Sequence, residues 1–274
     1  MAKLAVRRLP GALGCEIENL DLRFLDDDHF FTIENALHEH LLVILSRQTI
    51  GPRSLMGLAR RFGDPMPDAG ARHRHGMEMD LQIVSGRNAA NGTPEGDRDA
   101  TAYFRSDGIL AKVPARCTIF STQSGSATDP EAVFADQRRA YQDLSEDKRA
   151  GLDGLVALHR AGDRNALGGQ VSGEAAVVHH PIVRTHPHTR KASLYGVAGT
   201  SFAIQGMGDN EGRALLDDLA GHATQERYVT RTRFKPGDVV LWDNAALATA
   251  GPLAPEGSDR CLWRVRIAEE RPTS

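Results

Sequence analysis

The stretch DVVLWDNAALATAGPLAPEGSDRCLWRVRI, residues 238–267, decides how the rest of the 274-residue chain is read. Pro236 and Gly237 set a turn. Val239, Val240 and Leu241 follow as a short apolar run, the pattern of a strand buried on both faces. Trp242, Asp243 and Asn244 end that run, and a loop is expected after them. From Arg260 onward a period of two places Arg260, Leu262, Arg264 and Arg266 on one side, with Cys261, Trp263, Val265 and Ile267 on the other. A row of guanidinium groups on one strand face is costly unless carboxylates or an anion meet it. Two kinds of partner are open: carboxylates such as Asp238 or Asp243, or a bound anionic molecule.

Composition narrows the setting. A chain of 274 residues is long enough for a sizeable core, and a single domain covering residues 1–274 is expected. The formal net charge of −3 gives no basic face for nucleic acid or an anionic membrane, so neither is expected as a partner. Cys15, Cys117 and Cys261 are odd in number, far apart and set among apolar residues, which predicts buried free thiols and suits a reducing cytoplasm. No apolar run reaches the ~20 residues of a membrane span, and the first residues lack a signal-peptide core.

Residues 4–22 alternate around Pro10, Gly11 and Gly14 as a short strand pair would. Asp26 to Asp28 cap a helix whose apolar stripe is Phe30, Ile33, Leu37 and Leu41. Residues 41–45 read as a buried strand, and 54–62 as a helix capped by Ser54 and stopped by Gly63. Residues 64–102 are loop-dominated, with one strand at 81–84, and suit either an active-site lid or a mobile segment. Within them, Arg72, His73, Arg74 and His75 read as a solvated basic patch rather than a metal site. Alternation returns at 115–121. Residues 129–158 read as two helical pieces split at Ser145, 177–185 and 192–197 as strands around a turn, and 209–222 as a helix with Leu215, Leu216 and Leu219 inside. Strands and helices mix without a βαβ rhythm or an internal repeat.

Five segments, in order, resemble the taurine and 2,4-D dioxygenase (TauD/TfdA) family. They are GCEIENLDL at 14–22, ARRFG at 59–63, HPIVRTHP at 180–187 followed by Leu194 and Tyr195, WDN at 242–244, and the arginine strand. The resemblance implies a mainly β fold with flanking helices, a double-stranded β-helix or jelly roll. It also implies iron(II) and 2-oxoglutarate chemistry, with two histidines and a carboxylate on one face of the metal. The segment that matches the first ligand pair is FRSDG at 104–108, where Asp107 takes the carboxylate position and Arg105 stands in place of histidine. The second histidine position, seven residues beyond Trp242, holds Thr249, and no histidine follows His222.

Other parts of the implied pocket are kept. Arg260 lies eleven residues after Thr249, at the position that binds the distal carboxylate of 2-oxoglutarate, and Arg264 follows where family members meet an acidic group. Thr128, or its rival Ser126, falls near the hydroxyl that contacts 2-oxoglutarate. His180 and His186 are expected to hydrogen-bond within their hairpin, with His179 and His188 solvated. The expectation is therefore a protein with a degenerate iron site, binding a small anion without iron(II). It is either a pseudoenzyme or a metal-independent catalyst with Asp107 as base and Arg105 beside it, and 2-oxoglutarate is a possible ligand. The competing expectation is an active oxygenase that borrows His73 or His75 as a metal ligand. Family members often form dimers or tetramers, so a homo-oligomer is possible.

Overall fold

The computed structural model describes residues 4–66, 74–86, 104–160, 176–251, 254 and 258–269. Its first hairpin pairs β1 (Ala5–Arg8) with β2 (Cys15–Glu18), antiparallel. Helix α1 (Asp27–His40) starts where the Asp26 carboxylate accepts the His29 N–H, and it ends at Leu41, which turns left-handed at φ 65°. Strand β3 (Leu42–Leu45) follows directly. Helix α2 (Pro52–Phe62) begins two residues before the expected start: Gly51 is its cap and Pro52 its first residue, a position where the missing proline N–H costs nothing. Ser54 is therefore inside the helix, not its cap.

Next come β4 (Arg74–His75), β5 (Glu78–Ser85) and β6 (Ala115–Ser124). The expected pair of helical pieces at 129–158 is corrected. It holds β7 (Ala132–Asp136), the short helices α3 (Gln137–Gln142) and α4 (Glu146–Gly151), and β8 (Val156–His159). Apolar runs this short fit either period, and tertiary pairing decides them. Ser145 does cap α4, accepting the Lys148 N–H. Then follow β9 (Val178–Pro181), β10 (Val183–Thr185), β11 (Ala192–Leu194), β12 (Ser201–Ile204), α5 (Asp209–Ala223) and β13 (Val229–Thr232). The C-terminal region gives β14 (Val239–Asp243), β15 (Leu247–Ala250) and β16 (Cys261–Ala268). Thr249 thus lies on a strand, in what the sequence suggested was loop.

The largest sheet has eight strands in the order β1-β2-β3-β14-β6-β16-β5-β4. Helices α1 and α2 cover one face, where Ile33, Leu37, Leu55 and Phe62 pack on Val43, Leu45, Leu241, Val265 and Ile267. On the opposite face Leu42, Ile44, Phe120, Val240, Trp242 and Leu262 meet Phe134 and Leu247 from the three-stranded sheet β13-β7-β15. Strand β14 is apolar from Val239 to Trp242 because successive side chains enter different cores. The fold is the mainly β double-stranded β-helix with flanking helices. Its interior, between the two β layers, is where the inner face of β16 points.

The thiols follow expectation in part. All three cysteines are free, with Cys15 and Cys117 buried, but Cys261 is only half-buried because it sits at the start of β16 beside a register shift. Among the described residues, no helix is long and apolar enough to cross a membrane.

Candidate active site

The site is built on β16. Leu262 enters the interior core, while Val265 and Ile267 enter the helix-covered one, so the alternation read from the sequence holds. Arg264 and Arg266 share the inner side with Leu262. Arg264 lies opposite Gln82 of β5 and Phe120 of β6, and Arg266 opposite Thr118. Arg264 donates to the Gln82 side-chain oxygen from Nε at 3.0 Å and from Nη2 at 2.6 Å.

The segment that carries Arg105 and Asp107 is held against β15. Arg105 and Thr249 form an isolated antiparallel bridge with two reciprocal backbone hydrogen bonds, 2.9 Å from the Arg105 N–H and 2.8 Å from the Thr249 N–H. The two positions that the resemblance assigns to histidine ligands are therefore neighbours in space. Gly108 turns the chain back at φ 74°, and a Cβ there would lie 2.7 Å from the Ala115 Cβ, so glycine is required.

Asp107 is 6% exposed. Arg105 Nε stands 3.9 Å from its Oδ1, while Oδ2 accepts the Thr118 hydroxyl at 3.1 Å. Thr118 in turn accepts an N–H from the Asn244 side chain at 2.9 Å. Burial alone pushes the Asp107 carboxyl up, but Arg264, Arg105 and Arg266, with the Thr118 hydroxyl, outweigh it and hold the group below its ordinary value. It is a fixed anion at neutral pH, matched to the guanidinium groups around it.

Arg260 forms a second corner. It is 1% exposed, and among the described residues Nε, Nη1 and Nη2 all lack a hydrogen-bond partner. Among the described residues its nearest carboxylate is Asp129, 3.8 Å from Nε, and its guanidinium lies 5.7 Å from the centre of the Phe234 ring. Burial disfavours the charged guanidinium and Asp129 partly restores it, leaving the pKa lowered. Neither Asp238 nor Asp243 is its partner: Asp238 accepts the Lys235 N–H, and Asp243 accepts from His186 and from the Ala245 N–H. Asp129 Oδ2 also accepts the Ser126 N–H at 2.8 Å, which ties the Ser126–Thr128 loop to Arg260. The hydroxyls of Ser126 and Thr128 are exposed and bond each other at 2.9 Å.

The hairpin histidines are scaffold. His186 Nδ1 accepts the N–H groups of His188 and Thr189, so Nε2 carries the proton and donates to Asp243 at 2.7 Å. His180 Nε2 donates to the Ile109 carbonyl at 2.8 Å, two residues beyond Asp107. His179 and His188 are exposed, although His188 stacks on His38 with ring centres 5.0 Å apart. His75 packs edge-on against Trp263, on the face of β16 opposite Arg264. Arg72 and His73 fall outside the described residues, as does most of the proposed lid at 64–102.

Three members of the site were not picked out from the sequence: Asp129, Thr118 and Asn244 in its contact with Thr118. Thr118 had a signal, since it is two residues from Phe120 on β6 and so shares its inward face. Asp129 had none, because its role depends on a loop meeting a strand 131 positions later.

Comparison with known proteins gives the family. The profile of the family "Taurine catabolism dioxygenase TauD, TfdA family" matches residues 5–266. The chain is 27% identical over 272 residues to the (S)-phenoxypropionate/alpha-ketoglutarate-dioxygenase of Sphingobium herbicidovorans, covering 95% of this chain and 93% of that one. It is 30% identical over 251 residues to the alpha-ketoglutarate-dependent 2,4-dichlorophenoxyacetate dioxygenase of Cupriavidus pinatubonensis, covering 86% and 87%. Among solved structures, AAD-2 in complex with Mn(II) and N-oxalylglycine superposes with a TM-score of 0.82 at 26% identity, over the whole of both chains. The chain belongs to the TauD, TfdA family.

Proposed function

We propose that this TauD-like protein binds a small carboxylate or related anion in the dioxygenase pocket and acts there without iron, as a pseudoenzyme or a metal-independent enzyme. The observation that carries this is the identity and placement of Arg105 and Thr249. They are bridged to each other beside Asp107, where the family pattern puts two imidazoles. A guanidinium is a fixed cation with no lone pair to give, and a threonine hydroxyl is a poor ligand for iron(II). Asp107 alone would not retain the metal, and Arg105 supplies a permanent positive charge next to it. The donor set does not fit iron(II). Among the described residues, no three His, Cys, Asp or Glu side chains are grouped to hold a metal ion.

The anion half of the pocket is kept. The buried, unbonded guanidinium of Arg260 is a site where a ligand carboxylate would supply the missing acceptors. The relatives named for phenoxypropionate and 2,4-dichlorophenoxyacetate act on carboxylic acids, which supports an acidic ligand here. Binding is favoured over catalysis because the depressed pKa of Asp107 makes it a weak base near neutrality. An active oxygenase borrowing His75 gains no support, since that ring lies against Trp263.

Calorimetric titration with 2-oxoglutarate in the presence of a strong chelator tests the proposal. Saturable binding that disappears in Arg260→Gln is expected; binding that requires added iron(II) would overturn it.

A further inference from the structure

A second concave site lies away from the Asp107 and Arg260 corners. A cavity of about 380 Å³ opens between the turn that links β1 to β2, the C-terminal end of α1 and the start of α3. That volume is within the usual range for a small-molecule pocket. The floor is the turn itself, where Gly11 at φ 119° and Gly14 at φ 99° let the backbone run close to neighbouring strands.

The walls are charged with one sign in excess. Arg8, Arg138, Arg139 and Lys191 line the cavity, against the carboxylates of Glu39 and Asp136, which leaves two positive charges uncompensated on a chain whose net charge is −3. Of the two carboxylates, that of Asp136 is already occupied. Asp136 takes the N–H groups of Arg138 and Arg139, at 2.9 and 3.0 Å. Arg138, 8% exposed, donates to the His38 and Glu39 carbonyls at 2.9 and 3.0 Å, which neutralises the negative end of α1. The other cations are held loosely. Arg8 is 3.7 Å from Glu39 and Arg139 reaches the Ala12 carbonyl at 3.4 Å, while among the described residues no carboxylate lies within ion-pair distance of Lys191. His40 adds no further positive charge, because burial lowers its pKa and keeps it neutral.

We propose that this cleft binds a small phosphorylated molecule, with Arg8, Arg139 and Lys191 meeting the phosphate oxygens and Arg138 fixing the wall behind them. Two guanidinium forks and an ammonium suit a compact, multiply charged oxyanion better than a single carboxylate. The cleft shares no residue with the dicarboxylate pocket, so the two sites are separable.

Pyrophosphate is the probe, titrated calorimetrically into the full chain at low ionic strength. Saturable binding is expected in the parent and in Arg260→Gln alike. It should weaken at least about tenfold in Arg139→Gln/Lys191→Gln, whose substituted side chains are exposed and leave the core intact. No saturable binding to the parent would overturn the proposal. So would binding that survives the double substitution or is abolished by Arg260→Gln. Loss of 2-oxoglutarate binding in Arg260→Gln, with pyrophosphate binding unchanged, separates the dicarboxylate pocket from this cleft.

Discussion

The two corners of the pocket differ in what their charges already have. At Asp107 a buried carboxylate is met by a threonine hydroxyl and lies in the field of three arginines, so its charge is compensated from within the chain. At Arg260 a buried guanidinium has five N–H groups to place, one carboxylate at 3.8 Å and no hydrogen bond. The first corner is finished by folding. On the proposed function the second is finished only when a ligand arrives, which is the physical sense in which a ligand site differs from a structural ion cluster.

The contrast makes opposite predictions for removing a charge. Asp107→Asn strips the counter-ion from the arginine cluster and should cost about 3–5 kcal/mol in urea unfolding, the largest effect expected here. A second effect comes from pH. His159 is fully buried, and burial, with smaller contributions from His180 and His179, pushes its pKa down to about 3. Unfolded histidine titrates near 6.5, so the folded protein takes up a proton later than the unfolded chain does. Stability is therefore full above about pH 6.5, falls as the pH drops below it, and by pH 5 has lost about 2 kcal/mol. Unfolding midpoints measured from pH 7 to 5 should fall accordingly, and His159→Gln should flatten the slope. Asp107 has the same sign in a lower window: its contribution is complete above its unfolded value near 3.9 and is lost only as the pH falls through its depressed folded value.

Thr118→Val removes the hydroxyl that joins Asn244 to Asp107 and should cost about 1–3 kcal/mol, with a rise in the Asp107 pKa measurable by carboxyl carbon resonance. Arg260→Met is the smallest and has the other sign. Removing an unbonded buried cation should leave stability unchanged or raise it by about 1 kcal/mol, while abolishing dicarboxylate binding. A loss as large as that of Asp107→Asn would erase the distinction between the corners.

Much of this pocket could be read from the chain. The alternation of β16 placed Arg264 and Arg266 on the inner side, and the fixed spacing of Trp242, Thr249 and Arg260 located the family positions. These signals are local, or depend on a pattern that one strand carries. The bridge between Arg105 and Thr249 was not legible, because it joins a loop to a strand that the sequence had concealed as loop. Leu247 to Ala250 reads Leu-Ala-Thr-Ala, with Thr249 its one β-branched residue, so pairing with β7 rather than propensity makes it a strand. Asp129 escaped for the same reason: charge partners across a fold leave no periodic trace.

The central claim is that Arg105 and Thr249 have taken the pocket out of iron chemistry while leaving its anion half intact. The most direct measurement supplies purified protein with iron(II), 2-oxoglutarate and oxygen and assays succinate, alongside Arg105→His/Thr249→His, whose backbone bridge needs no particular side chain. No succinate above the protein-free control is expected from the parent, and a gain of iron(II) affinity is expected in the double variant. Succinate formed by the parent, at or above one equivalent per chain, would contradict it.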